Sequence, residues 1–333
     1  MPDVAIRGFW KWWQSARELV EGAVRAGTWD ELAPQINARV KEIDPGLEWE
    51  LGKGAHAEHA FCLSAKGDSL LRNVAERWLR EGPSSDDTWE FHAARQAHWS
   101  EGLTLGIEGH DVTFDALRFE LEIDQSRERV HVGVYHPTME PMAPELRTTV
   151  AFLSLDSLLG EDGVERWVGS VETLVKEPGA GVSGPALRAA VDALARGATG
   201  ERFAVLEGTD PDGHPVLVTA NLALKRIDHL LLDVHLAVVI ALREPTSAGL
   251  TTSAEAAELD ALEDALLDAL GPRAVYVGRE TRRSERVVHL YVDGSAGVRG
   301  SIEGWRAQPK GHEIRVILTP DPTWALTAEI RGS

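Results

Sequence analysis

The chain has a single cysteine, Cys62, in 333 residues, so it can close no intramolecular disulfide. Its opening, MPDVAIRGFWKWWQSARELV, lacks the basic-then-apolar pattern of a secretory signal. Long apolar runs are missing as well: the longest, Leu236 to Leu242, falls far short of the roughly 20 residues a membrane span requires. These absences predict a protein of the reducing cytoplasm with no membrane association. Cations are the minority, 34 Lys and Arg against 53 Asp and Glu, a net charge of −19. Like charge repels a phosphate surface, so direct nucleic-acid or anionic-membrane binding is not expected.

What is present is an ordinary globular composition, 43% hydrophobic and 26% charged, which excludes disorder, collagen or coiled coil as the main architecture. The length suggests two domains at roughly 150 residues each. Charge and tryptophan divide the chain unevenly. Residues 1–177 carry a net −14 and nine of the eleven Trp, residues 178–270 a net −8, and residues 271–333 a net +3. The stretch Pro178-Gly-Ala-Gly-Val-Ser-Gly-Pro185 between them has no apolar periodicity and reads as a linker. The expected organisation is a Trp-rich acidic α+β domain over 1–177, a Gly/Pro linker over 178–184, and a C-terminal domain over 185–333.

Apolar spacing predicts helices at about 6–26, 69–80, 144–159, 163–175 and 185–196. A short second helix is expected behind Thr28 or Asp30. Strands are predicted at 47–51, 60–64, 88–97, 112–124 and 127–135, the last two joined by a polar turn. Beyond the linker, Arg202–Glu207 and His214–Leu222 form a hairpin across Asp210-Pro-Asp-Gly213. A strand at 230–242, a helix at 253–270, strands at 274–281 and 286–292, a helix at 295–307 and a strand at 313–319 then follow in the order βαββαβ. That is the ferredoxin-like, split-βαβ order, placed at about 229–320. The fold class is therefore α+β, two domains with mostly antiparallel sheets and packed helices.

Chemistry-bearing patterns are few. Gly179-Ala-Gly181-Val-Ser-Gly184 is a literal G-x-G-x-x-G, but a dinucleotide site requires a strand just before it, and the preceding spacing is helical, so it reads as linker. Gly294-Ser-Ala-Gly297-Val-Arg-Gly300 lies between a strand and a helix and offers a small anion nest. His56 and His59 lack the H-E-x-x-H arrangement on a helix, and Cys62 has no neighbour that would lower its pKa. Glu120, Glu122 and Asp124 line one strand face, with Arg127 and Arg129 as expected cross-strand partners. The one basic concentration is Arg279-Glu-Thr-Arg282-Arg283-Ser-Glu-Arg286 at a hairpin tip, able to clamp acidic groups or phosphates, or to pair with the acidic helix of its own subdomain. Trp10 and Trp13 share one side of the first helix as core anchors, whereas Trp12 lies toward the other side as a candidate self-association or partner contact.

Leu259-Asp-Ala-Leu-Glu-Asp-Ala-Leu266, Ala274-Val-Tyr-Val-Gly-Arg-Glu-Thr281, Arg286-Val-Val-His-Leu-Tyr-Val-Asp293 and Thr319-Pro-Asp-Pro-Thr-Trp324 resemble the domain-of-unknown-function family 695. The resemblance spans about 185–330, most clearly 253–326. The family is similar in turn to the ribonuclease E inhibitor RraB, whose relatives share a compact ferredoxin-like sandwich, bind a protein partner and have no catalytic residues to transfer. The first half resembles a companion region of longer members through Phe9-Trp-Lys-Trp-Trp13, Leu47-Glu-Trp-Glu50 and Leu155-Asp-Ser-Leu-Leu-Gly-Glu161. The expectation is a non-enzymatic interaction or regulatory protein whose partner presents a basic surface, an RNA-processing protein as the RraB resemblance implies, with no cofactor and no metal. The competing expectation is a small-molecule or phosphate-ester enzyme or sensor using the Arg279–Arg286 hairpin and the Gly294–Gly300 turn. Arg279, Arg282, Arg283, Arg286 and Trp12 are the candidate contacts, and the oligomeric state is left open.

Overall fold

The computed structural model describes residues 2–28, 31–308 and 311–331. It divides into two compact units, Met1–Ala198 and Thr199–Ser333. The first unit opens with α1 (Pro2–Ala26), α2 (Ala33–Ile43), β1 (Glu48–Lys53), β2 (His59–Ser64), α3 (Arg72–Glu81) and β3 (Trp89–His92). Strand β2 pairs antiparallel with β1 and parallel with β3. The apolar stripe of α1, Ile6, Phe9, Trp13, Ala16 and Val20, is buried against this sheet and α3. Tryptophan supplies the fill: Trp10 and Trp78 stack at 4.6 Å, and Trp13 meets Trp89, Phe61 and Phe91 edge-on at 5.0–5.6 Å. Each such pair adds about 0.5–1.5 kcal/mol beyond burial, which accounts for the Trp excess. Leu32, not Thr28, precedes α2, and Asp30 lies outside the described residues.

The same unit continues with the hairpin β4 (Thr104–Ile107) and β5 (His110–Thr113), then β6 (Arg118–Asp124), β7 (Arg129–Tyr135), α4 (Pro144–Trp167), β8 (Val168–Leu174) and α5 (Gly184–Gly197). Again a hairpin, β6–β7, gains a parallel third strand, β8, through an intervening helix. The helix expected at 163–175 is corrected: α4 runs on to Trp167, broken at Gly160 (φ 74°), and the rest is strand. Val164, Val168 and Val171 satisfy a helical spacing, yet the β-branched residues favour an extended chain beside β7, and Gly169, poor in a helix, leaves room there for the His131 ring. Gly160 is required there, because a Cβ would lie 3.1 Å from the Arg95 carbonyl oxygen and the Ala97 nitrogen. The Gly/Pro stretch belongs to this unit. Val182 exchanges backbone hydrogen bonds of 2.8 and 2.9 Å with Phe119, and α5 buries Leu187, Val191 and Leu194 with the same core. The division between units thus falls after Ala198 rather than at the expected 178–184 linker, because the stripe of α5 is buried in the first core.

The second unit contains β9 (Phe203–Thr209), β10 (Pro215–Asn221), β11 (Val234–Ala241), α6 (Ser253–Leu270), β12 (Ala274–Arg282), β13 (Glu285–Val292), α7 (Ala296–Ala307), β14 (Ile314–Pro320) and α8 (Ala328–Arg331). Six strands form one sheet in the order β14-β11-β13-β12-β10-β9, every neighbour antiparallel. Thr252 and Ser295 cap α6 and α7 through side-chain oxygens that accept from Glu255 and Val298 N–H. One sheet face, including Leu236, Val238, Ile240 and Leu290, packs on Leu259, Leu266, Ile302 and Trp305 of the two helices. The opposite face, with His235, His289 and Tyr291, is partly covered by Trp324, which stacks on Tyr291 at 4.1 Å and donates to the Leu232 carbonyl at 2.8 Å. Asp321 anchors that cover, accepting from Tyr291 Oη at 2.5 Å and from the N–H groups of Ala325 and Leu326. The D-P-x-W ending is therefore a clasp over the back of the sheet.

Candidate functional site

The arginine hairpin turns through Arg283 and Ser284, both at positive φ (50° and 64°), as a two-residue hairpin loop demands. Each of its four arginines has a carboxylate. Arg279 and Arg286 lie on the helix side and share Asp260 (2.5 and 2.9 Å) and Glu263 (3.1 and 2.9 Å) of α6. Burial pushes the Glu263 carboxyl up against the pull of Arg279 and Arg286. Arg283 at the tip donates to Asp210 at 2.6 Å and to Asp212. Asp210 also accepts from the N–H groups of Asp212 and His214, and with Arg283 as the leading cause its carboxyl is held down at about 2. Arg282 sits 3.4 Å from Glu280 on the other face. The cluster clamps the 210–212 turn and α6 onto the hairpin.

That clamp changes the meaning of the charge map. The final segment is basic as sequence, but its arginines meet the carboxylates of residues 210–263, and the folded second unit has 14 basic against 20 acidic residues, a net −6. The first unit has 20 against 33, a net −13. Both units are acidic bodies.

The Gly294–Gly300 turn lies at the other end of β13 from Arg283, roughly 25 Å away at about 3.3 Å per residue. Its features serve α7. Ser295 is the cap, Asp293 accepts from Ser295 N–H at 3.0 Å, and Arg273 reaches Ser301 Oγ at 2.9 Å while leaving no room for a Cβ at Gly297. The hairpin and this turn do not form one site. The G-x-G-x-x-G stretch does follow a strand, β8, contrary to expectation, but Val182 is engaged by Phe119 and no strand of a βαβ unit follows α5.

Elsewhere the candidates resolve into structural roles. Trp12 is half-buried at the rim of the aromatic core, edge-on to Phe9 at 5.7 Å and Trp13 at 6.3 Å. Burial pushes the Cys62 thiol up, leaving no reactive thiolate. Glu90 works against burial but accepts from the N–H groups of Ala55 and His56 and contacts His92, which holds it at about 2. Among the described residues no group of three or more His, Cys, Asp and Glu could hold a metal, and no helix is long and apolar enough to cross a membrane. Arg127 pairs with Asp124 at 3.1 Å within the turn rather than across the strands, and Arg129, opposite Asp124 in the ladder, donates to the carbonyls of Glu165 and Val168. Glu120, Glu122 and Glu172 line a shallow depression of about 440 Å³ with His131 and Ser170, the ring accepting from Ser170 N–H at 3.0 Å.

Two features escaped sequence reasoning. His235 and His289 touch at 3.1 Å on the covered sheet face, although the uninterrupted run 236–242 signalled a strand buried on both faces. The other is β9, whose Phe203, Val205 and Leu206 remain 54%, 64% and 42% exposed. Beside it lies a cavity of about 320 Å³ lined by Leu206, Val216, Val218, Glu280, Arg282 and Glu329 among others.

The second unit is thus a mixed α+β body, a six-stranded antiparallel sheet with two helices on one face and a tryptophan clasp on the other. Residues 209–329, nearly all of it, match the model of a family of unknown function, DUF695. No curated protein matches the chain.

Proposed function

We propose that this is a non-enzymatic interaction or regulatory protein of the cytoplasm that works by binding a protein partner with a basic surface. The observation that carries the reading is the internal pairing of all four hairpin arginines, which leaves the hairpin with no cation held in reserve for phosphate in a molecule whose two units carry −13 and −6. Long-range attraction then speeds encounter with a basic partner and makes binding fall with salt. The strand order β14-β11-β13-β12 with its two connecting helices supports reading the second unit as ferredoxin-like, extended by the β9–β10 hairpin. That topology is compatible with kinship to RraB-like inhibitors, and an RNA-processing protein is the partner class such kinship suggests. The test is affinity capture with the intact chain from native lysate at low and high salt. The expected result is one or more basic proteins retained at low salt and released at high salt; capture of no salt-dependent protein overturns the reading.

A further inference from the structure

The six-stranded sheet ends differently at its two edges. Strand β14 carries Arg315 and closes on Pro320, a charge and a missing donor that discourage another strand. Strand β9, Phe203-Ala-Val-Leu-Glu-Gly-Thr209, has no Lys, Arg or Pro and pairs with β10 without a bulge. Among the described residues no strand lies beyond it. The ladder dictates where its backbone points. Asp210 N–H donates to the His214 carbonyl and Leu222 N–H to that of Arg202, so residues 204, 206 and 208 also bond inward to β10. The N–H and C=O groups of Phe203, Val205, Glu207 and Thr209 consequently face the open edge. A long, unblocked edge with three exposed large apolar side chains is a template for strand addition.

Charge selects the occupant. The neighbouring cavity has an apolar lining from Leu206, Val216, Val218 and Ile330, and its ionic groups are acidic in balance: Glu280, Glu329 and Asp210, the last held by Arg283, against Arg282, which Glu280 already holds at 3.4 Å. A second copy of this chain would bring its own −19 to the edge. We infer that β9 is the docking edge for an extended, lysine- or arginine-bearing segment of a protein partner, which adds as a seventh strand and sets a basic side chain over the Glu280–Glu329 cavity. The inference rests on the partner reading above and names its surface. Main-chain hydrogen bonds supply the affinity, and the cavity selects the side chain.

The experiment is a titration of the full-length protein with a labelled peptide of about ten residues alternating lysine with valine, read by fluorescence anisotropy. Three comparisons accompany it: the same peptide with alternate backbone nitrogens methylated, a glutamate-for-lysine peptide, and the protein variant Val205→Pro, which deletes one outward donor while leaving the bonds to β10 intact. The lysine peptide is expected to bind, to weaken with salt, and to lose about tenfold or more on methylation or in the proline variant. Should Val205→Pro disturb the fold, judged by its thermal midpoint, the methylated peptide decides alone, since it leaves the protein unchanged. Equal binding of the methylated or glutamate peptide overturns the inference, as does no binding of the lysine peptide. A dimer that the peptide displaces and Val205→Pro dissociates assigns the edge to a second copy and also overturns it. The broader reading fails separately: it is lost if no basic partner is captured, whereas a captured partner indifferent to Val205→Pro sinks only the edge.

Discussion

The two units build dry interiors from different materials. The first fills its leading core with rings, Trp10, Trp13, Trp78 and Trp89 around Phe9 and Phe61, behind an amphipathic helix. The second uses aliphatic residues with Trp305 on a two-faced sheet and then closes the margins with polar groups: on one face the buried Arg286 and Glu263 with the partly exposed Arg279 and Asp260, and on the other His235, His289, Tyr291 and Asp321. Aromatic packing tolerates changes of pH, whereas a polar interior is only as stable as its protonation states and partners. Both units should therefore depend on their buried rings, and the second should in addition respond to removal of a charge or addition of a proton.

The sharpest test removes one ring from each unit. Trp78→Ala deletes a fully buried indole stacked on Trp10, and Trp324→Ala deletes one stacked on Tyr291 that also donates to Leu232. Each is expected to cost about 3–5 kcal/mol in urea titration. A loss below about 1 kcal/mol for Trp78→Ala would break the contrast, since the rings would then not be what holds the first core.

Removing a charge comes next. Arg286→Met leaves the buried Glu263 carboxylate with Arg279 as its remaining cation, at an expected cost of about 3 kcal/mol. Glu263→Gln in the same chain should return part of that loss, because a buried carboxylate short of its partner is worse than none. A double variant no better than Arg286→Met alone would show that the guanidinium acts by packing rather than by charge.

The third test is a proton. Burial, then His235, then Arg282 push His289 down to about 4, and burial also lowers His235. The side chain stacks on His235, which in turn meets Tyr291 at a tilt on the same sheet face, with Asp321 beyond. Because the folded pKa is depressed, the contribution to stability is full above about 6.5 and is lost as pH falls through about 4. The second unit should lose roughly 2–3 kcal/mol across that window, and His289→Gln should flatten the profile.

Much of this was legible in the sequence. The spacing in α1, the order of the last four strands, and the capped helices α6 and α7 follow from period and turn chemistry that tertiary contacts had no reason to overrule. What misled were segments whose local pattern suited two states. Val168 to Leu174 reads as helix until β7 offers a partner, and 178–184 reads as linker until Val182 finds Phe119. Among the candidate residues, the arginine cluster stood out plainly, but self-pairing and ligand binding predict the same composition. Only the positions of Asp210, Asp260 and Glu263 separate them. The open edge of β9 had no signature at all, because a strand's sequence does not say which neighbour it lacks.

The smallest test reverses the sign of the histidine experiment in the first unit. Asp156 of α4 is half-buried; burial first, and Glu161 second, raise its carboxyl to about 6 despite the opposing pull of Arg95. A raised folded pKa means the folded chain holds this proton more tightly than the unfolded chain, so its contribution is full below about 3.8 and is lost as pH rises through about 6. At neutral pH the ionised carboxyl is a liability, and Asp156→Asn should stabilise the chain by about 2 kcal/mol there, with the gain vanishing near pH 4. Paired with His289→Gln, it makes a two-variant experiment in which acidification erases the advantage of one substitution and exposes that of the other. If both variants shifted in the same direction with pH, the contrast between a ring-packed unit that shelters one misfit carboxyl and a sheet that depends on neutral imidazoles would have to be abandoned.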